Sequence, residues 1–453
     1  MNHFAVKNLV YIAGSCLLMA TAAFGSQAQA AESLLSLYQK ALQYDAQYRG
    51  AVANTEAERE DINKARSLFL PKVQLSANVG KGVTDRTAQS QFGPVESNYD
   101  YSLKNYALSI KQPLFNKESM ATYRGTEATV RSKEALLEKE NSTLITRIAN
   151  AYFEVLYAQE RISVTNNKID AVQQQLNQAQ RRYEQGEGTV TEISEGQANL
   201  DLAQAERIDA ENALELYKQV LSDIAGQPVD EVAALNPDSL PTSMPDFDRL
   251  EDWLKDAEAS NPDITFARYS LEAARQDVLR KQAGHYPTLD LVGVRSYSEN
   301  DNNNTIGLRF DTTTVALQFQ MPLYAGGFTN ASVRQARDRV EAAEEQLNLR
   351  TRTTSANIRR YFNSIRSGLL SIQAYRQAVR SGEMALEGTQ KGFTAGLRTN
   401  IEALNAQQKL YSSKLNLSKA QYMLVNDIVN IKQTAGVLNE AQLQSLNRYF
   451  SVN

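Results

Sequence analysis

Residues 34–75 read LLSLYQKALQYDAQYRGAVANTEAEREDINKARSLFLPKVQL, and residues 250–291 read LEDWLKDAEASNPDITFARYSLEAARQDVLRKQAGHYPTLDL. Laid side by side they put Pro71 on Pro287. The correspondence continues downstream in the same order. Gln112-Pro113-Leu114-Phe115 meets Met321-Pro322-Leu323-Tyr324, and Tyr152-Phe153 meets Tyr361-Phe362. Tyr183-Glu184-Gln185-Gly186 meets Phe393-Thr394-Ala395-Gly396, and Ala225-Gly226 meets Ala435-Gly436. Identities are sparse but collinear, which marks an internal duplication. The chain therefore divides into a first repeat over 31–227, a Pro- and Asp-rich linker over 228–246, a second repeat over 247–440 and a tail over 441–453.

Proline placement shows what each repeat contains. The ten prolines stand at 71, 94, 113, 228, 237, 241, 245, 262, 287 and 322, leaving 114–227 and 323–453 without one. Proline inside a helix costs about 3 kcal/mol, so these are the stretches where long helices can run. Leu137, Leu144, Ile148, Tyr152, Val155, Ile162, Ile169, Val172, Leu176, Ala179 and Tyr183 recur at coiled-coil spacing. One helix over 118–182 would reach roughly 95 Å, longer than compact domains use.

Ahead of each proline-free stretch lie two strand candidates. Val73, Leu75, Ala77 and Val79 alternate with polar residues, as do Tyr106, Leu108 and Ile110. In the second repeat Val315, Leu317, Phe319, Met321 and Leu323 alternate with Thr314, Ala316, Gln318 and Gln320, while Leu289 and Leu291 begin a less regular strand. Period-two alternation gives one apolar and one polar face. The segments between, 82–98 and 298–304, are polar and read as exposed loops.

Composition closes many functional classes. Of 453 residues, 48 are Lys or Arg and 52 Asp or Glu, a net charge of −4 that gives no electrostatic case for nucleic acid. One Cys and two His leave no disulfide framework, thiolate cluster or multi-histidine site. No Gly-rich phosphate loop appears, so no cofactor is expected and any energy must come from a partner. The Asn-rich run at 299–304 lacks the Gly and terminal Glu of a calcium loop. His285, beside Tyr286-Pro287 at a helix-to-strand junction, reads as a structural residue.

Residues 1–30 carry Lys7, an apolar run from Leu9 to Phe24 and a small-x-small site at Ala28-Gln29-Ala30, the form of an export signal. A membrane anchor would need a longer run, and a lipidated Cys16 a better lipobox than Ala13-Gly14-Ser15. A mean hydropathy of −0.45 and the lack of a later 18-residue apolar stretch exclude membrane-spanning helices.

Strands that alternate apolar and polar in an exported chain fit an outer-membrane barrel. Four strands cannot close one, and an open edge cannot sit in lipid. Closure needs several protomers; three would supply twelve strands, although the sequence does not fix that number.

At this point the chain resembles the TolC family of outer-membrane efflux and type I secretion channels. The resemblance spans residues 34–448. It rests on the duplication, Ala65-Arg66-Ser67-x-x-Leu70-Pro71, the GHYPTLDL segment at 284–291, Pro322-Leu323-Tyr324-x-Gly326-Gly327 and Ala395-Gly396-Leu397-Arg398-Thr399. It implies an α+β homotrimer: a twelve-stranded outer-membrane β-barrel, four strands per protomer, continuing into a periplasmic α-helical coiled-coil tunnel. It also implies work with a periplasmic adaptor and an inner-membrane ABC or RND transporter.

The resemblance places function at two helix-breaking turns. Gly186, Glu187, Gly188 and Thr189 in one, and Gly396, Leu397 and Thr399 in the other, correspond to the tips that dock the adaptor; read alone they are only turns. Beside them lie residues corresponding to a periplasmic gate: Arg398, Glu402 and Asn405, with Arg398 facing Thr191 and Glu192, and Phe393 as a further member. Spacing of three puts Glu402 and Asn405 on one helix face. The family has a second acid where this chain has Asn405, so one charged ring is expected and strong divalent-cation block is in doubt. Phe393 stands at a usual Tyr position and lacks the hydroxyl of a polar link, which leaves the latch to Arg398 with Glu192.

The resulting expectation is a passive outer-membrane duct for type I protein secretion or TolC-like export, not an enzyme. The outer component of an RND-type efflux pump is the alternative within that class. A periplasmic adaptor or structural coiled-coil protein is the rival outside it.

Overall fold

The computed structural model of the protein describes residues 31–243, 249–300 and 308–451. The export signal over 1–30 lies outside the described residues, as do residues 301–304 of the Asn-rich run. In chain order the elements are α1 (Leu34–Tyr44), α2 (Ala46–Arg66), β1 (Lys72–Ser90), β2 (Gly93–Asn116), α3 (Lys117–Glu184), α4 (Val190–Ala225) and β3 (Ala234–Leu235). The second half follows with α5 (Leu250–Ser260), α6 (Pro262–Gln282), β4 (Thr288–Asn300), β5 (Arg309–Gln320), α7 (Phe328–Thr394), α8 (Asn400–Ala435), α9 (Glu440–Asn447) and β6 (Phe450–Ser451).

Each repeat opens with two helices where the apolar pattern alone suggests one. Asp45 ends α1 in extended backbone, and its carboxylate accepts from Tyr48 N at 2.7 Å to start α2. Asn261 does the same between α5 and α6, accepting from Ile264 N at 3.0 Å with Pro262 as the first helical residue. A side chain that caps one helix holds its own backbone out of the helical region, so it terminates the preceding one.

The four long strands form one antiparallel sheet in the order β1-β2-β4-β5. Register sets Val73 beside Ile110, Ile110 beside Gly293 and Gly293 beside Val315. The same face carries Leu75, Leu108, Leu317 and Phe319; the other carries Gln74, Ser76, Ser109, Gln318 and an ion pair between Lys111 and Asp290 at 2.7 Å. The apolar face is bare in the protomer, with Leu75 75% and Val315 73% exposed.

The strands run further than the sequence reading allowed. Residues 82–98 are not a loop: β1 and β2 pair continuously out to Ser90 and Gly93, turning around Gln91-Phe92. Hydrophilic strands remain strands when both faces meet water, and Val83, Thr84, Thr87, Tyr99 and Tyr101 are good strand formers. Gly82 is stabilised by its cross-strand partner Tyr101, whose ring lies directly over it. Likewise β4 continues through 298–300. At the other end β5 stops at Gln320, so Met321 and Leu323 lie past it, where Pro322 and the positive-φ pair Gly326 and Gly327 turn the chain into α7.

Helices α3 and α7 hold 68 and 67 residues, about 100 Å each. Leu144, Ile148, Tyr152, Val155, Val172, Leu176 and Ala179 of the coiled-coil series are buried on α3, whereas Tyr183 is exposed near its end. Under the sheet α2, α3, α6 and α7 lie side by side in the order of the strands they continue. Away from the sheet α3 pairs with α4 and α7 with α8 as two antiparallel hairpins, joined where α3 touches α8. The core lies between, at a waist where α1, α5, α9 and the β3-β6 pair wrap the long helices. Tyr152 is buried there, its hydroxyl donating to Ala233 O at 2.7 Å with Glu32 O 3.2 Å away. The linker is part of this waist: Val229, Val232, Ala233 and Leu240 are buried.

Candidate gate and docking tip

The free ends of the two hairpins carry every residue that the sequence marks. At the first, α3 ends at Glu184 and Gly186 adopts φ 79°, a left-handed conformation in which a side chain is strained. Gly186 N donates to Tyr183 O at 2.9 Å, and Glu187 N and Gly188 N both donate to Arg182 O. Thr189 then caps α4, its hydroxyl accepting from Glu192 N at 3.3 Å.

The second end repeats this pattern at an offset of 210 residues. Gly396, φ 72°, donates to Phe393 O at 3.0 Å, and Leu397 N and Arg398 N both donate to Gly392 O. Thr399 caps α8 through Glu402 N at 3.2 Å. Here the carboxylate also returns: Glu402 Oε2 accepts from Thr399 N at 2.8 Å, completing a capping box. Glu187, Thr189, Leu397 and Thr399 are exposed, Leu397 by 81%.

Within the protomer Arg398 does not reach Thr191 or Glu192. Its Nη1 donates to Glu402 Oε1 at 2.9 Å, one turn along its own helix. The Thr399 amide, with the Arg398 guanidinium beside it, holds the Glu402 carboxyl below the usual carboxylate range. Glu402 thus turns back to the helix start, while Asn405 stays exposed. Phe393 packs against a residue that the sequence reading missed: the Arg182 guanidinium stands over its ring, 5.3 Å from the centroid.

A groove of about 230 Å³ runs between the two hairpins near the tip, lined by Lys168, Glu195 and Glu206 on one side and Ile401, Asn405 and Tyr411 on the other. It is bridged where Tyr411 Oη donates to Asn167 O at 2.9 Å, and Leu404 packs on Val172, Leu176 and Leu200. Tyr411 escaped sequence reading because its partner is a backbone carbonyl 244 positions away.

A sheet apolar on one face with both edge strands unpaired, continued by helices about 100 Å long that reverse at two glycine turns, is one sector of a membrane duct. Comparison with known proteins gives the same class. The outer membrane efflux protein family matches residues 37–227 and 253–437, one match per repeat. The alkaline protease secretion protein AprF of Pseudomonas aeruginosa is 32% identical over 91% of this chain and 86% of its own length. The outer membrane protein TolC of Escherichia coli is 32% identical over 94% and 87%. The crystal structure of the outer membrane protein VceC from Vibrio cholerae shares the fold, with a TM-score of 0.76 at 21% identity over 89% of this chain and 96% of that one. The chain belongs to the outer membrane efflux protein family and is an outer-membrane export duct.

Proposed function

We propose that three copies close the duct, that its helical tip is a gate docked by a periplasmic adaptor, and that an inner-membrane transporter feeds it. The observation carrying this reading is the pair of unpaired edges, β1 and β5, flanked below by α2 and α7. Lipid cannot satisfy edge amides and carbonyls, so each edge needs the opposite edge of another copy. Three four-stranded sheets make a twelve-stranded barrel, and α7 then meets the neighbour's α2 in the wall beneath. The lumen is lined by the polar face, including Gln74, Ser109 and Gln318.

At the other end the glycine turns present Leu397 and its neighbours to an adaptor. Glu192, whose carboxylate has no hydrogen-bonded partner in the protomer among the described residues, is free to meet Arg398 of the adjoining copy. Arg398 then holds Glu402 within its own chain and Glu192 across the seam. In this reading the tunnel is passive, and a partner supplies the energy for transport.

Type I protein secretion through an ABC transporter is the cargo class we favour, on the likeness to a relative named for alkaline protease secretion. Efflux with an RND transporter is the second reading. Chemical cross-linking of the membrane-extracted protein should give a ladder ending at three copies, and planar bilayers should show discrete conductance. A ladder ending elsewhere overturns the trimer. Co-purification of an ABC transporter with an adaptor supports secretion; an RND transporter in its place transfers the duct to efflux.

A further inference from the structure

We propose that the lipid-facing side of the sheet carries a binding site for the phosphorylated headgroups of outer-leaflet lipid, built by Lys104 and Arg309 with Lys81 one row further out. The inference rests on the barrel reading above and adds a specific contact to it.

Register fixes where these residues stand. Leu289 and Phe319 are direct partners at the inner end of the apolar face, and Glu299 and Arg309 are direct partners ten residues further along the same two strands. Ten residues span about 33 Å of strand, and a tilt of about 40° brings that to roughly 25 Å along the membrane normal. That is the height of the apolar band of an outer-membrane barrel. The row Val79, Lys104, Glu299 and Arg309 therefore lies at the outer headgroup boundary.

Two features agree with that height. Tyr106 and Tyr297 are partners one row inward, their ring centroids 6.1 Å apart, an aromatic pair where an interfacial girdle belongs. Inward of them the face holds Leu75, Leu108, Val315 and Leu317, with Arg295 the one cation in those rows and tied to Asp311 at 2.7 Å.

At the boundary row the charges do not cancel. Lys104 Nζ lies 3.6 Å and the Arg309 guanidinium 3.7 Å from the Glu299 carboxylate, so two cations share one anion; Arg309 is exposed and Lys104 half-buried. Lys81, two residues beyond Val79 on β1, is exposed on the same face. Glu299 sets the two cations side by side, and the long ion-pair distances leave their remaining donors for a phosphate that would complete the pairing. Arg gives a planar fork for such a group and Lys a point charge. The same rows on the lumen side carry Asn78, Asn105, Ser298 and Phe310, with no comparable excess of positive charge.

The test uses the full-length protein extracted as its intact assembly, probed with lipid A, with dephosphorylated lipid A and with phosphatidylglycerol by native mass spectrometry. Lipid A should bind the wild type roughly tenfold more tightly than it binds K104Q/R309Q. Dephosphorylated lipid A should bind both proteins alike, and the lumen-facing variant K72Q should match the wild type. Phosphatidylglycerol retained as strongly as lipid A would assign the cations to phosphate of either leaflet and overturn the outer-leaflet assignment. Equal lipid A binding by wild type and K104Q/R309Q, with bilayer conductance intact, overturns the site alone. Loss of conductance in the wild type overturns the barrel reading on which it rests. Should K104Q/R309Q fail to assemble, K104R/R309K must retain lipid A binding, and its failure to do so in an intact assembly overturns the proposal.

Discussion

The two tips share a backbone and differ in where they carry charge. Gly186 and Gly396, Thr189 and Thr399, Glu192 and Glu402 stand at equivalent positions, and the reversing amides choose equivalent carbonyls. Two side chains are exchanged. Arg182 and Gly188 at the first tip become Gly392 and Arg398 at the second. The exchange follows from space. A Cβ on Gly188 would come within 2.8 Å of the Tyr183 backbone nitrogen, so that position excludes a side chain. At the second tip Arg398 occupies the corresponding place, its Cγ packed 2.8 Å from where a Cβ on Gly392 would fall. The duplication thus supplied two turns with the same hydrogen-bond pattern, of which only the second has room for a guanidinium at the helix start. At the second tip the helix-start carboxylate, Glu402, is held within its own chain, whereas Glu192 at the first has no such partner among the described residues.

The largest effect should come from removing what the tips share. Gly186→Val with Gly396→Val forces side chains into left-handed backbone at about 1–2 kcal/mol each, and should abolish adaptor cross-linking while the trimer persists. Cross-linking and export that survive in an intact trimer would end the docking reading. Next comes what they do not share. Arg398→Ala should raise single-channel conductance several-fold, and a double-mutant cycle with Glu192→Ala should show coupling across the seam. Unchanged conductance in Arg398→Ala refutes the latch, and additivity confines Arg398 to Glu402.

Asn405→Asp adds the second acid to the helix face and should make the channel more sensitive to divalent-cation block; the same block in both proteins would show that Asn405 does not face the pore. Smaller still, Gly188→Ala should cost about 1 kcal/mol of local stability, read by protease sensitivity of the tip. Gly392→Ala should cost less, because the Arg398 side chain can move aside and a backbone nitrogen cannot.

Acidification should do least. The Glu402 carboxyl lies below its ordinary value of 4.5, so its contribution is whole above that pH and is lost only as pH falls through the lowered value. Conductance governed by this cap stays flat from pH 8 to 5. A step within that range would assign the gate to another group.

Much of this was legible in the residues. The alternation of Val73 to Val79 and Val315 to Phe319 gave the sheet faces, the proline-free stretches gave α3 and α7, and the collinear pairs gave the duplication. The largest error in the strands came from equating polarity with loop. Residues 82–98 are polar because both faces of that hairpin meet water, and only its strand-forming Val, Thr and Tyr residues hinted at pairing. Asp45 and Asn261 could have been read as caps but were hidden inside apolar periodicity. The partners at the tip follow a different rule. Arg182 on Phe393 joins α3 to α7, and Tyr411 on the Asn167 carbonyl joins α8 to α3. No local pattern encodes such contacts, which depend on the two hairpins lying together.

The Tyr152 hydroxyl has a consequence for how the chain acquires its shape. It holds carbonyls of the segment before α1 and of the linker, while Phe450 closes on its ring edge at 5.3 Å. The long hairpins zip from contacts between sequence neighbours, a fast process; the waist needs strands of polypeptide from three distant places to arrive together, which is slow. By contact order the hairpins are expected to form ahead of the waist. The waist is thus a second tie on rods already joined by α3 on α8, and its contacts close the longest stretch of chain, from α1 to α9.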